Sequence, residues 1–156
     1  MNKQMTFYTD GACSGNPGEG GWAFVHLVNT TEGFKTEVES GGKKQITNNE
    51  MELTAVYMAL VKAYKSKTKQ VTIYSDSAYV VNAITKGWLI NWKNNGWLTK
   101  ENKPIKNKTI WEKMHKLVYE KGMAVMMIKV KGHKGDPLNE LADKMAVQAK
   151  MKVMEE

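Results

Sequence analysis

The chain has 156 residues, 42% of them hydrophobic and 25% charged, a length that suits one domain burying roughly 70% of its unfolded surface and a composition unlike a disordered or fibrous chain. The formal net charge of +7 favours a polyanionic partner, and the single cysteine, Cys13, excludes an intramolecular disulfide and a thiolate zinc cage. No uncharged apolar run approaches the ~18 residues of a membrane span and MNKQMTFY holds no signal-peptide core, so the expectation is a cytoplasmic protein without membrane contact.

β-forming residues alternate or cluster over 4–12, 21–28 and 33–40, with glycine-rich breaks at 15–21 and near Gly33, which predicts a three-stranded antiparallel meander. The glycine-rich run in YTDGACSGNPG leads into another strand, GGWAFVHLV, and not into a helix, so it lacks the helix N-terminus that a phosphate cradle requires. From Thr47 to Tyr64 the spacing turns helical, with Leu53, Val56, Leu60 and Ala63 on one stripe and Thr47 or Asn48 as cap. A fourth strand is expected at 71–76, helices at 77–86 and 106–121, and a fifth strand at 124–130. Asp136 followed by Pro137 announces a last helix running to about Met154. The order β β β α β α α β α implies an α/β fold in which the fourth and fifth strands, each reached through a helical crossover, run parallel to the first. No linker or repeat divides the chain, so residues 1–156 are read as one domain.

The first and fourth strands both end in an aspartate, at Tyr8-Thr9-Asp10 and Tyr74-Ser75-Asp76. On parallel neighbouring strands, aspartates at matching ends and matching parity share a face at about the 5 Å interstrand spacing. Two carboxylates so close repel, and one pKa rises unless a cation sits between them. The competing explanation is a turn residue before Gly11 and a helix cap before Ser77. The first helix offers Glu50 and Glu52; Glu52 projects with Val56, Ala59 and Ala63, the small face suited to lie on a sheet, where a carboxylate is costly unless paired or metal-bound. Asp143 falls in the second turn of the last helix, where its dipole alone is a sufficient reason for an acid.

Taken together, TDGACSGNPG at 9–18, TNNEMEL at 47–53, YSDSAYVV at 74–81, GWLINWKNNGW at 87–97 and VKGHKGDPLNELAD at 130–143 resemble the bacterial type 1 ribonuclease H family over essentially the whole chain. The resemblance implies a ribonuclease H-like fold, a mixed five-stranded sheet flanked by helices. It implies a monomeric endonuclease that hydrolyses the RNA strand of RNA–DNA hybrids, leaving 5′-phosphate and 3′-hydroxyl ends. Asp10, Glu52, Asp76 and Asp143 would be its metal-holding catalytic carboxylates, for two Mg²⁺ ions with Mn²⁺ able to substitute, and His133 an auxiliary in proton transfer or product release. Hard carboxylate oxygens without a histidine or thiolate cluster agree with those ions.

Residues 86–108 hold six lysines against one glutamate, hence five of the seven net positive charges, together with Trp88, Trp92 and Trp97. Lysines for phosphates and aromatic faces for sugars or bases make a sequence-tolerant nucleic-acid surface, although Trp88 and Trp92, one turn apart, could equally pack together in a small helix. All 23 basic residues are lysine, which meets phosphates as a point charge and lacks the fork that reads guanine. In the family this segment resembles the basic protrusion that grips the DNA strand. The resemblance then implies substrate contacts by Trp88, Trp92, Lys93 and Tyr79 in a DNA channel, a phosphate pocket at Thr47 and Asn107, and hybrid contacts by Cys13, Gly15, Asn16, Asn48 and Asn49.

Overall fold

The computed structural model describes residues 4–131 and 135–155. Its strands are β1 (Gln4–Gly15), β2 (Gly18–Thr30), β3 (Gly33–Ile46), β4 (Gln70–Ser75) and β5 (Ala124–Lys129); its α-helices are α1 (Asn48–Lys65), α2 (Ala78–Thr85), α3 (Trp88–Asn94), α4 (Lys108–His115) and α5 (Pro137–Met154). One mixed sheet runs in the order β3-β2-β1-β4-β5. β1 to β3 form the antiparallel meander, and β4 and β5 run parallel to β1, with Tyr8 opposite Tyr74 and Ser75 opposite Lys129.

Alternation in β1 buries Met5 and Phe7 and leaves Thr6 and Tyr8 half-buried, so one face of the sheet is apolar. α1 lies on that face and buries Leu53, Val56, Ala59, Leu60 and Ala63 against Phe7, Phe24 and Ile73. Phe7 meets Phe24 edge-on at 5.3 Å between centroids. α5 takes the opposite face over β1, β2 and β3 through its small residues Ala142, Ala146 and Ala149. Gly21 permits this contact: a Cβ built there would fall 2.5 Å from the Lys150 nitrogen. Caps fix the helix starts. Thr47 Oγ1 accepts from Glu50 N at 3.2 Å, Ser77 Oγ from Val80 N at 3.2 Å, and Asp136 Oδ1 from Leu138 N at 3.0 Å.

Four elements differ most from the sequence expectation. β2 and β3 are longer, because residues 41–46, outside the strand predicted at 33–40, continue the ladder, with Gly42 allowing α5 to come close. α3 is an additional helix inside the basic segment, started after Gly87 at φ 76°. The expected helix at 106–121 begins at Lys108 and changes at Lys116 to a π-helical turn, Lys116–Glu120, in which Lys121 N donates to Lys116 O.

Candidate active site

Where the pairing of β1 with β4 ends, a cavity opens, lined by Asp10, Gly11, Asn48, Asn49, Glu52, Asp76, Ser77, Ala78, Tyr79 and Asp143. No lysine lines it. Parallel register carries Asp10 and Asp76 past Tyr8 and Tyr74 to the same end of the sheet, and one oxygen each of Asp10, Glu52 and Asp76 lies within 4.8 Å of the others. Asp143, on α5, lines the same cavity from the far side and stands within hydrogen-bonding reach of Asp10. The four acids thus come from two strands and two helices. Glu50 points elsewhere: its carboxylate sits 3.9 Å from Lys43 Nζ near the surface.

Gly11 is what lets β1 and α1 bring their acids together. A Cβ at position 11 would fall 2.5 Å from Glu52 N and 2.6 Å from the Met51 carbonyl carbon. Its own N–H donates to Asp10 Oδ1 at 2.9 Å and to Glu52 Oε1 at 3.1 Å. Gly11→Ala should therefore force strand and helix apart, lowering stability by about 1–3 kcal/mol and raising the divalent-cation concentration needed for half-maximal activity; thermal melts and a cation titration measure both.

Asp10 is 1% exposed and Glu52 5%. Burial above all, then Asp76 and a hydrogen bond with Asp143, push the Asp10 carboxyl up to about 7, while hydrogen bonds from Glu52 and Gly11 pull it the other way. Burial, followed by Asp10 and Asp76, pushes Glu52 well above the usual carboxylate range. Glu52 Oε2 is buried and takes no hydrogen bond from the described residues. Clustered, desolvated carboxylates with an oxygen left over are a poor structural device and a suitable one for a hard divalent cation.

A second pocket adjoins the first, sharing Asn48, Asn49 and Tyr79 and adding Asn16, Thr47, Lys106 and Asn107. It carries a lysine and no acid, opposite in sign to its neighbour. Asn16 Oδ1 accepts from Asn48 N at 3.2 Å, which ties the β1–β2 turn to the start of α1. Cys13 Sγ donates to Ile46 O at 3.0 Å, and Gly15 takes φ 84° at the turn. Trp88 and Trp92 line a third pocket with α3 and the residues after it, and their rings lie 6.4 Å apart. Lys93 is exposed on α3, and the tryptophan packing expected of a small helix is present alongside the open aromatic surface. His133 lies outside the described residues. His26 stacks on Phe7 at 4.9 Å, and His115 packs between Trp97 and Tyr119.

Sequence reasoning missed Trp111 and singled out Lys106 only as one of the six lysines of the basic segment. Trp111 is fully buried and its Nε1 donates to the Tyr79 hydroxyl at 2.7 Å. Its place one turn before Met114 in the predicted helix was the available signal.

The RNase H family profile matches residues 2–151. A ribonuclease H of Thermoanaerobacter sp. (strain X514) is 48% identical over 144 residues, covering 92% of this chain and 88% of that protein. A ribonuclease H of Treponema denticola is 41% identical over 162 residues, covering 96% and 99%. Among solved structures, LC9-RNase H1, described as a type 1 RNase H with the type 2 active-site motif, superposes with a TM-score of 0.84 at 28% identity, over 97% of this chain and 74% of that one. The foamy viral protease-reverse transcriptase in complex with RNA/DNA hybrid superposes with a TM-score of 0.79 at 26% identity, over 95% of this chain and 20% of that one. With the family profile spanning nearly all its residues and relatives this similar along their whole length, the chain belongs to the RNase H family.

Proposed function

We propose that the chain is a single-domain, divalent-cation-dependent endonuclease that hydrolyses the RNA strand of RNA–DNA hybrids, with residues 86–108 as a basic protrusion on the DNA strand. The observation that carries this reading is the convergence of Asp10, Glu52 and Asp76 at one end of the sheet, two of them buried. Asp10, Glu52, Asp76 and Asp143 would hold two Mg²⁺ ions, with Mn²⁺ able to substitute. Bound there, such ions supply a lowered water pKa and charge stabilisation for an in-line displacement at phosphorus.

The chain's own residues do the rest. Burial, and then repulsion from neighbouring acids, raise the carboxyls of both Asp10 and Glu52, so protons would compete with a cation for their oxygens. Asn16, Asn48 and Asn49, short polar groups on the rim of the carboxylate cavity, reach sugar hydroxyls that distinguish RNA from DNA. Lysines of the protrusion meet the phosphates of the other strand, with Trp88, Trp92 and Tyr79 against its sugars, and His133 assists proton transfer or product release.

End-labelled RNA–DNA hybrid, duplex DNA and duplex RNA, each with Mg²⁺ or EDTA, test the proposal. Cleavage of the hybrid's RNA strand with Mg²⁺ alone is expected. Intact hybrid would overturn the enzymatic reading, and equal cutting of duplex DNA would overturn the specificity. Because phosphate contact rests on lysine alone, hybrid affinity should also fall steeply with salt, by about 10³-fold or more between 50 and 200 mM if six or more phosphates are met; a salt-independent Kd would contradict it.

A further inference from the structure

Tyr79 is the residue common to the acidic cavity and the basic pocket beside it. Its hydroxyl oxygen is engaged twice: Trp111 Nε1–H donates to it at 2.7 Å and Asn107 Nδ2–H at 3.2 Å. An indole N–H can only donate, so the first of these bonds has one possible direction. A phenol oxygen that already accepts two hydrogen bonds has its own hydrogen left as the remaining polar function, and that hydrogen needs an acceptor in front.

Both donors are held firmly. Trp111 is 0% exposed, lies edge-on to Tyr79 at 5.6 Å and packs on Trp92 at 5.3 Å. Asn107 sits at φ 61°, immediately ahead of α4. The pocket in front of the hydroxyl contains Lys106, Thr47 and three further asparagines, and no carboxylate among its lining residues. A pocket that carries a lysine and no carboxylate favours an anionic acceptor, and on a DNA strand the anionic acceptor is a phosphate oxygen.

We propose that Trp111 is a positioning residue: with Asn107, its indole N–H commits the Tyr79 hydroxyl to donating a hydrogen bond to one backbone phosphate of the uncleaved DNA strand. Tyr79 then acts through its hydroxyl and not only as an aromatic face, and Lys106 supplies the neighbouring cation. This rests on the reading of the protein as a hybrid nuclease.

The test uses the whole protein, single-site variants and hybrids in which one DNA phosphate at a time is replaced by a neutral methylphosphonate. Tyr79→Phe should raise KM for unmodified hybrid about tenfold while kcat stays within about twofold, since a ground-state contact remote from the reacting phosphate affects binding uniformly. At one position the methylphosphonate should raise the wild-type KM by a similar factor and add nothing in Tyr79→Phe. Trp111→Phe, which keeps an aromatic ring and loses the N–H, should show a partial loss of that same position-specific sensitivity with an unchanged Mg²⁺ midpoint. If Trp111→Phe does not fold, benzothienylalanine incorporated at position 111, isosteric with tryptophan but lacking the N–H, replaces it with the same expectation. Wild-type protein that cleaves hybrid while Tyr79→Phe keeps its KM, or keeps full sensitivity at every modified phosphate, overturns this inference alone. Wild-type protein that leaves hybrid intact overturns the functional reading and this inference together.

Discussion

Asp10→Asn should abolish cleavage and at the same time make the cation-free protein more stable. Asparagine keeps the size of Asp10 and removes the charge, so the first effect is loss of a cation ligand, a fall in rate of roughly 10³-fold or more, equivalent to at least about 4 kcal/mol of barrier. The second follows from burial. A carboxyl pushed up to about 7 favours its protonated form, so at pH 8 without a cation the folded state carries an ionised Asp10 in unfavourable surroundings. Removing that charge should stabilise the fold by about 1–3 kcal/mol, a smaller amount than the full shift implies because Glu52 readjusts. Hybrid binding measured in EDTA should change by less than a few-fold, since the binding proposed for the basic protrusion and the asparagine loops does not use the acids. An Asp10→Asn protein that cleaves normally, or a Glu50→Gln protein that does not, would show the acids to be wrongly assigned.

The second large effect concerns pH and cation together. A carboxyl whose folded-state pKa is raised above its unfolded value near 4 stabilises the folded state, relative to its ionised form, while both states are protonated; that contribution is lost as pH rises from about 4 towards 7. In EDTA the wild-type melting temperature should therefore fall between pH 5.5 and 8, and Asp10→Asn should flatten the slope. Mg²⁺ reverses the sign. Cation and proton compete for the same oxygens, so the increase in melting temperature produced by Mg²⁺ should be larger at pH 8 than at pH 5.5. A cation held at about 100 times its Kd adds about 2.7 kcal/mol. Cleavage should lose up to about tenfold per unit of pH below about 7 for each proton displaced. Thermal melts with and without Mg²⁺ across this range check all of it; a Mg²⁺ effect that is the same at both pH values would contradict the linkage.

Much of the site is legible in the sequence because strand geometry carries it. Asp10 and Asp76 each lie two residues beyond Tyr8 and Tyr74, where the pairing of the first and fourth strands ends; parallel pairing follows from the helical crossover, and equal parity then puts both on one face without knowledge of packing. Glu52 is legible for a related reason, since it shares a helical face with Val56, Ala59 and Ala63, all of which are fully buried. Glu50, two residues earlier, turns to Lys43.

What stays hidden depends on contacts between distant segments. The strand predicted at 33–40 stops short of Gly42, and only the approach of α5 shows why a glycine continues the strand there. Tyr79 and Trp111 lie 32 positions apart and meet through the packing of α2 against the start of α4, which no spacing rule predicts. Asp143 stands between the two cases. Its helix is legible from Asp136 and Pro137, but its approach to Asp10 depends on α5 crossing the sheet over Gly21, a long-range fit.

The chemical identity of the product ends tests the central claim most directly. Carboxylate-held cations direct water against the phosphodiester, so RNA fragments from a labelled hybrid should carry 5′-phosphate and 3′-hydroxyl ends, extendable by a polymerase without prior phosphatase treatment. Fragments ending in a 2′,3′-cyclic phosphate with 5′-hydroxyl partners would mean that the neighbouring 2′-hydroxyl is the nucleophile, and would contradict the role assigned to Asp10, Glu52, Asp76 and Asp143.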